Sequence, residues 1–161
     1  MGSLGKRSRR GFGSFKITQA QKNNQDVTLP NQNDWLSSIA QLYQQLTGRS
    51  FVKRVHKLSN QPLPNAPFPF IKQVVIGQQF HRDLLKEIGD ATSQIKQTNQ
   101  DSSEYRQAMG HTKGRDRLGS PMYVSVIENS QGLFPIITTL NNLWGSYGTQ
   151  QIQQSFLDLL L

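Results

Sequence analysis

Residues 33–47 read NDWLSSIAQLYQQLT, and this stretch carries the clearest helical pattern in the sequence. Its apolar side chains recur every three or four positions, so they fall on one face of a helix. Asn33 is suited to cap that helix, Asp34 is favourable in its first turn, and Gly48 follows its end. The pattern predicts an amphipathic helix, from which the rest of the fold can be worked out.

Residues 51–58 are the next segment along the chain. On a helical wheel Phe51, Val55 and Leu58 share one side, while Lys53 and Lys57 share the other. If the segment were a strand, charged and apolar residues would be mixed on both of its faces. We therefore predict a short helix with one basic face.

Helical patterns account for most of the remaining chain. The spacing of apolar residues predicts helices over about 71–98, around 104–109, after Pro135 and from about 149 onward. Gly77 marks a break inside the first of these. Met122–Glu128 alternates like a strand, and Ile71–Ile76 is its one candidate partner. The predicted fold class is mainly α: a small domain of four to five helices and up to two short strands, with a basic N-terminal arm.

The composition along the chain predicts its domain organisation. Residues 1–25 contain few apolar side chains, so we expect a basic, flexible arm. Residues 26–161 are expected to form a single, mainly helical domain. Within that domain, residues 59–70 contain four prolines, which favour an extended connector.

The distribution of charge is the strongest functional signal. The 161 residues carry a net charge of +8, and residues 1–57 contain ten basic but only two acidic side chains. From residue 58 onward, eight basic and eight acidic side chains cancel. A charge needed for solubility alone would be spread over the chain, whereas this one is concentrated. The pattern predicts a front part that binds a polyanion, joined to a neutral part that packs and assembles.

Four cations within Lys6–Arg10 form the densest basic cluster, and guanidinium groups suit phosphate oxygens. Phe12 and Phe15 nearby could stack on exposed bases. A nuclear-import signal, or attraction to acidic protein or anionic lipid, would use the same cluster. A second basic group follows in residues 49–57, and a third in a predicted loop at 111–117. The predicted nucleic-acid-binding residues are Lys6, Arg7, Arg9, Arg10, Lys16, Arg49, Lys53, Arg54, Lys57, Lys113, Arg115 and Arg117.

Several chemistries find no support in the sequence. Without cysteine there can be no disulfide, thiolate metal site or cysteine nucleophile. His56, His81 and His111 lie far apart and lack a second ligand at metal-binding spacing, so no metal or other cofactor is predicted. No phosphate loop, nucleophile elbow or paired carboxylates are recognisable, and we expect no enzymatic activity. No stretch approaches the roughly 20 apolar residues of a membrane span.

These observations together predict a structural or accessory subunit of a nucleoprotein assembly, such as a virion, nucleocapsid, ribosome or other ribonucleoprotein. The partners would be nucleic acid, with RNA favoured over DNA, and neighbouring protein subunits. We expect a soluble, intracellular protein, in the cytoplasm or within the particle, or in the nucleus of a eukaryotic host. The alternatives are an adaptor whose basic arm binds an acidic protein surface, and an enzyme that borrows residues from a partner chain.

Overall fold

The fold is described from a computed structural model of the chain. The residues that it describes are 2–3, 14–15, 21–22, 24–26, 34–60, 70–79, 83–99, 102–113, 116–129, 131–141 and 147–161. Within them lie four helices, α1 (Trp35–Thr47), α2 (Leu84–Thr98), α3 (Ser103–Met109) and α4 (Tyr147–Asp158). The strands are β1 (Gly2–Ser3), β2 (Ser14–Phe15), β3 (Gln21–Lys22), β4 (Gln25–Asp26), β5 (Val52–Arg54), β6 (Lys57–Ser59), β7 (Ile71–Ile76), β8 (His111–Lys113), β9 (Asp116–Leu118), β10 (Met122–Asn129) and β11 (Gly132–Leu140).

A five-stranded antiparallel sheet organises the molecule, in the order β10-β11-β7-β6-β5. The predicted fold class, mainly α, is therefore wrong: helices and a central sheet share the described residues. Met122–Glu128 is a strand as predicted, and so is Ile71–Ile76. The two are not direct partners, however, because β11 lies between them and pairs with both.

Residues 132–140 form a strand where the sequence predicted a helix after Pro135. β11 is buried on both faces, so its apolar residues form a nearly continuous run with no strand periodicity to recognise. Pro135 is tolerated within β11 because of its orientation. Its carbonyl accepts a hydrogen bond from Gly77 N on the β7 side, at 3.0 Å. In an antiparallel strand the N and C=O of one residue face the same neighbour. The missing N–H therefore removes no bond to β10.

Residues 52–59 form the hairpin β5–β6 instead of the predicted short helix. Lys53 lies directly opposite Leu58, and Arg54 directly opposite Lys57. Val55, predicted on the apolar face, is 84% exposed in the turn, whereas Leu58 is fully buried. Both faces do mix charged and apolar residues. This is tolerated at a sheet edge because long basic side chains can reach solvent from either face.

Helices α2 and α4 cover one face of the sheet and helix α1 covers the other, with a separate core on each face. On one face Val124 and Ile137 pack with Ile88 of α2 and Phe156 of α4. On the other face Leu58, Val74 and Ile136 pack with Leu36 of α1. Alternate residues of each strand thus serve different cores, as the period of two requires.

The helices predicted over 33–47, around 104–109 and from about 149 are confirmed, whereas the one predicted over about 71–98 is wrong at its start: residues 71–76 form β7 and the helix begins at Leu84. Helix α1 is capped by Asp34, whose carboxylate accepts a hydrogen bond from Ser37 N, and it ends at Gly48 with φ +70°. The cap is therefore Asp34 and not Asn33. Asp83 caps α2 in the same way, and Ser102 caps α3. In the C-terminal region Phe156 and Leu160 are buried, whereas Leu159 is 40% exposed.

Much of the predicted arm and connector lies outside the described residues. Of residues 1–25 the structure describes the pair β1–β2, with β3, Asn24 and the first residue of β4. Residues 61–69 of the connector lie outside, but both of its ends are placed. Asn60 N donates to Lys72 O at 2.8 Å, so the connector leaves β6 and enters β7 at adjacent points of the sheet.

The packing of β11 makes a first prediction. Ile137 is fully buried at the centre of the sheet, so Ile137→Ala removes core contacts and leaves a cavity. We expect the free energy of unfolding to fall by about 2–5 kcal/mol. Urea denaturation measures the loss, with Val55→Ala as the exposed control at about 0.5 kcal/mol or less. Equal losses in the two variants would contradict the buried position of β11.

A second prediction concerns Gly77, which follows β7. A Cβ at this position would lie 2.5 Å from Leu160 O and 2.6 Å from Pro135 Cγ, so side chain and backbone would collide. We expect Gly77→Ala to lower the free energy of unfolding by about 1–3 kcal/mol. Gly89 in α2 has no atom within 4 Å of the same position, so Gly89→Ala should stabilise by about 0.5–1 kcal/mol. The same denaturation curves compare the two, and stabilisation by Gly77→Ala would contradict the close approach.

Candidate functional site

The hairpin β5–β6 carries the best-defined group of predicted binding residues. Arg49, Lys53 and Arg54 are exposed, and Lys57 is half-buried. Residues 49–57 contain no acidic side chain. Lys53 and Arg54 lie on the edge strand β5, Lys57 lies on the adjacent strand β6, and Arg49 lies between α1 and β5. We call these residues, Arg49, Lys53, Arg54 and Lys57, the basic edge.

Helix α1 and the segment between α1 and β5 hold this hairpin in place. The ring of Phe51 lies 4.2 Å from that of Tyr43, centroid to centroid, with a tilted geometry. The side-chain amide of Asn60 donates to Tyr43 Oη at 2.6 Å and to Ile71 O at 3.2 Å. With Leu58 in the core beneath, these contacts anchor both ends of the hairpin. The basic edge is thus presented on a fixed frame.

Lys53 differs from the other cations of the basic edge because it is already paired. Its Nζ lies 3.4 Å from the Asp34 carboxylate and also hydrogen-bonds the Ser37 hydroxyl. Hydrogen bonds from the Ser37 side chain and backbone lower the pKa of Asp34, and the charge of Lys53 adds to them. Arg49, Arg54 and Lys57 have no acidic partner among the described residues. Their charge is therefore available to an external anion.

Lys72 on β7 is a further cation of this region that was not predicted. Burial and the nearby charge of Lys57 both lower the pKa of its ammonium group below 10.5. A lowered lysine pKa means that the charged form of Lys72 is disfavoured, first by burial and then by the positive charge of Lys57. In the sequence, Lys72 is a single lysine within the apolar run FIKQVVI. Because residues 71–98 were interpreted as a helix, Lys72 was not grouped with the cations of residues 49–57.

The remaining predicted residues are not brought to the basic edge by any described contact. Lys6, Arg7, Arg9, Arg10 and Lys16 lie outside the described residues, and so does Arg115. The predicted loop at 111–117 is instead the hairpin β8–β9, in which the Lys113 backbone pairs with that of Asp116, and Arg117 with Thr112. The side chains of this hairpin also lie outside the described part.

An open cleft of about 760 Å³ adjoins the basic edge. It lies where the first turn of α1, the β5–β6 turn, the end of β7 and the β10–β11 turn meet. Its apolar lining comes from Trp35, Leu36, Val75, Ile76, Ile127 and Phe134. Lys53, His56 and Lys57 line it on the side of the hairpin, and Gln78, Gln79 and Gln131 also contribute. The cleft thus combines aromatic, cationic and amide groups with the carboxylate of Asp34, which is paired with Lys53.

Trp35 contributes an unsatisfied polar group to the wall of this cleft. Its indole N–H is buried and has no hydrogen-bond partner among the described residues. A buried donor left unpaired costs about 1–3 kcal/mol.

Neither a metal-ligand cluster nor a membrane-spanning helix occurs among the described residues. No three histidine, cysteine or acidic side chains come together there as a metal site would require. Helices α1 to α4 are also too short or too polar for any of them to cross a membrane.

The pair formed by Asp34 and Ser37 makes a third prediction. Because the folded-state pKa of Asp34 is lowered, its ionised form stabilises the fold above the ordinary pKa of 3.8, and this stabilisation is lost as pH falls through the lowered value. Asp34→Ala should lower the melting temperature at neutral pH, and the difference from wild type should shrink in strong acid. Thermal unfolding followed by circular dichroism at both pH values measures this. Asp90→Ala, at an exposed mid-helix position, is the control; a pH-independent effect at Asp34 would contradict the assignment.

Comparison with known proteins gives no family assignment. No protein-family model, curated protein or solved structure matches this chain. Its function is therefore argued from the charge and geometry of the basic edge and the adjoining cleft.

Proposed function

We propose that the protein is a non-enzymatic subunit of a nucleoprotein assembly that binds nucleic-acid phosphates without base specificity. The observation that carries this proposal is the basic edge. Three of its cations lack an acidic partner among the described residues, and no acid interrupts them in the sequence. Phosphate groups along a nucleic-acid strand would satisfy several of these charges at once.

The contrast with α2 supports this reading. Lys86 and Lys96 are exposed, as Arg49, Lys53 and Arg54 are, but Glu87 and Asp90 lie on the same helix. The potential there is mixed in sign, so a strand of phosphates would gain little. Apart from the pair that Lys53 forms with Asp34, the basic edge offers one sign of charge only. Nonspecific binding would accordingly concentrate at the basic edge and in the arm.

RNA is the preferred ligand in this proposal. The cations project from an edge hairpin, and no described helix presents a comparable basic face to a major groove. A single strand can follow such an edge, with its phosphates on the cations and its bases turned toward the neighbouring cleft. Neighbouring subunits would then pack on the neutral remainder of the chain.

The fourth prediction tests the basic edge by salt dependence. The double variant Arg54→Ala/Lys57→Ala removes two phosphate contacts, so the slope of log affinity against log salt should become shallower by about 1.4 for single-stranded RNA. Fluorescence anisotropy with a labelled homopolymer measures the slope. Lys86→Ala/Lys96→Ala removes the same net charge from α2 and should leave the slope unchanged.

The outcomes separate the proposal from its alternatives. Equal slopes for the two double variants would mean that RNA affinity depends only on the total net charge. That result would contradict a binding interface at the basic edge. Deleting residues 1–16, which include five cations, tests the arm in the same assay. If the protein binds an acidic polypeptide but no RNA at low salt, it is an adaptor for an acidic protein surface.

A further inference from the structure

Helix α1 carries a second apolar stripe beside the face that it packs on the sheet. Trp35, Ile39, Leu42 and Leu46 follow one another at spacings of four, three and four residues, which places them along one line of the helix surface. Leu36, packed in the core beneath α1, lies about a quarter of a turn away from that line. We call Trp35, Ile39, Leu42 and Leu46 the outer stripe.

The outer stripe is covered at one end and exposed at the other. Trp35 and Ile39 pack in part against the core beneath α1. Leu42 and Leu46, one turn of helix apart, are 56% and 75% exposed. Polar residues normally occupy this position on a surface helix, and a contiguous apolar patch there is typical of an interaction surface. The stripe is thus recessed at its start and projects at its end.

The charge of α1 restricts what can cover the outer stripe. Residues 35–47 contain no charged side chain. Nucleic acid is bound through its phosphates, for which an uncharged apolar surface offers no partner. A second copy of the chain is repelled elsewhere by the net charge of +8, but along this helix it meets no charge of its own sign. The surface therefore favours a second copy over a charged partner.

The spacing of the outer stripe reads the same in both directions, which suits pairing with an identical helix. In an antiparallel pair related by a twofold axis, Trp35 lies opposite the partner's Leu46, and Ile39 opposite the partner's Leu42. The projecting end of each stripe then covers the recessed end of the other. This orientation also holds the two basic segments that begin at Arg49 at opposite ends of the 13-residue helices, about 20 Å apart.

We propose that two copies of this chain pair through antiparallel α1 helices, with their outer stripes in contact. Each copy contributes four apolar side chains, against roughly 20–30 residues a side in a standard interface, so the free protein pairs weakly. Copies bound side by side on one RNA strand have a high effective concentration, which favours the pair. The inference deepens the proposed function by naming the neighbouring subunit, and only this effect of RNA rests on that function.

Sedimentation equilibrium of the full chain without RNA tests the pairing. The average mass should rise from 18.2 kDa towards twice that value as the concentration approaches about 1 mM. Leu42→Glu/Leu46→Glu should weaken the association about tenfold or more, because it replaces the projecting leucines of both copies with like charges. A constant mass of 18.2 kDa in the wild type would mean that another protein, or another segment of this chain, covers the outer stripe, and would overturn the inference.

A matched double variant controls for the added charge. Leu85 and Leu159 are also exposed, at 39% and 40%, but lie outside α1, so Leu85→Glu/Leu159→Glu should leave the association unchanged. Equal weakening by the two double variants would overturn the assignment to the outer stripe. Thermal unfolding followed by circular dichroism checks that each variant folds. If Leu42→Glu/Leu46→Glu does not fold, the neutral Leu46→Gln replaces it, with Leu159→Gln as its control.

The orientation of the pair has its own test. In one chain Trp35 and Leu46 are 11 residues apart on α1, roughly 16–17 Å along its axis. A nuclear Overhauser effect between the Trp35 ring and the Leu46 methyl groups must therefore arise between two copies. We expect it in an isotope-filtered spectrum of mixed labelled and unlabelled protein. An effect between the Trp35 rings of the two copies instead would indicate a parallel pair and overturn the proposed register.

The results also separate this inference from the proposed function. If the chain pairs through the outer stripe but binds no RNA at low salt, the proposed function fails and the pairing stands. If RNA binds with the predicted salt dependence while the free protein keeps a mass of 18.2 kDa at every concentration, the pairing fails and the proposed function stands.

Discussion

The pairing of β7 with β11 is the constraint on which the rest of the structure depends. These strands occupy the middle of the sheet: β11 contributes alternate side chains to two separate cores, and β7 contributes Val74 to the core beneath α1. Ile137 faces α2 and α4, while Ile136 faces α1. Removing this pairing would disconnect α1 and the hairpin β5–β6 from the rest of the molecule. The helices are therefore positioned by the sheet.

The same pairing places the charged and aromatic groups of the candidate site. β6 joins the sheet through β7, and Ile76 N donates to His56 O at 3.0 Å, which fixes the β5–β6 turn beside the end of β7. The β10–β11 turn reaches the same end, where the Gln79 side chain hydrogen-bonds Gln131 O. Three chain segments far apart in the sequence thus meet at one end of the sheet. The basic edge and the cleft are consequences of this topology.

The sequence alone predicted the elements whose signals are local. Helix α1 has one apolar stripe, one cap and one terminal glycine, and β10 has a recognisable alternation. β11 was misread because burial on both faces removes the period of two, and β5–β6 because an edge hairpin mixes its faces. The candidate cations of residues 49–57 were still identified, since charge is visible without structure. The cleft could not be predicted, because its aromatic rings and amides are brought together by strand pairing.

The basic edge is itself an argument for an external anion. Like charges held close together oppose folding, and the pKa of Lys72 is lowered by burial and further by the charge of Lys57. A chain selected for stability alone would balance such a group with acids, as it does at Lys53 with Asp34. Charged side chains on an edge strand also discourage pairing with other chains, but lysines alternating with acids would serve that purpose equally well. Local conflict of this kind is more common at functional sites than elsewhere, which is in keeping with the function proposed above. Under that proposal, the phosphates of a nucleic-acid strand would balance the unpaired cations of the basic edge.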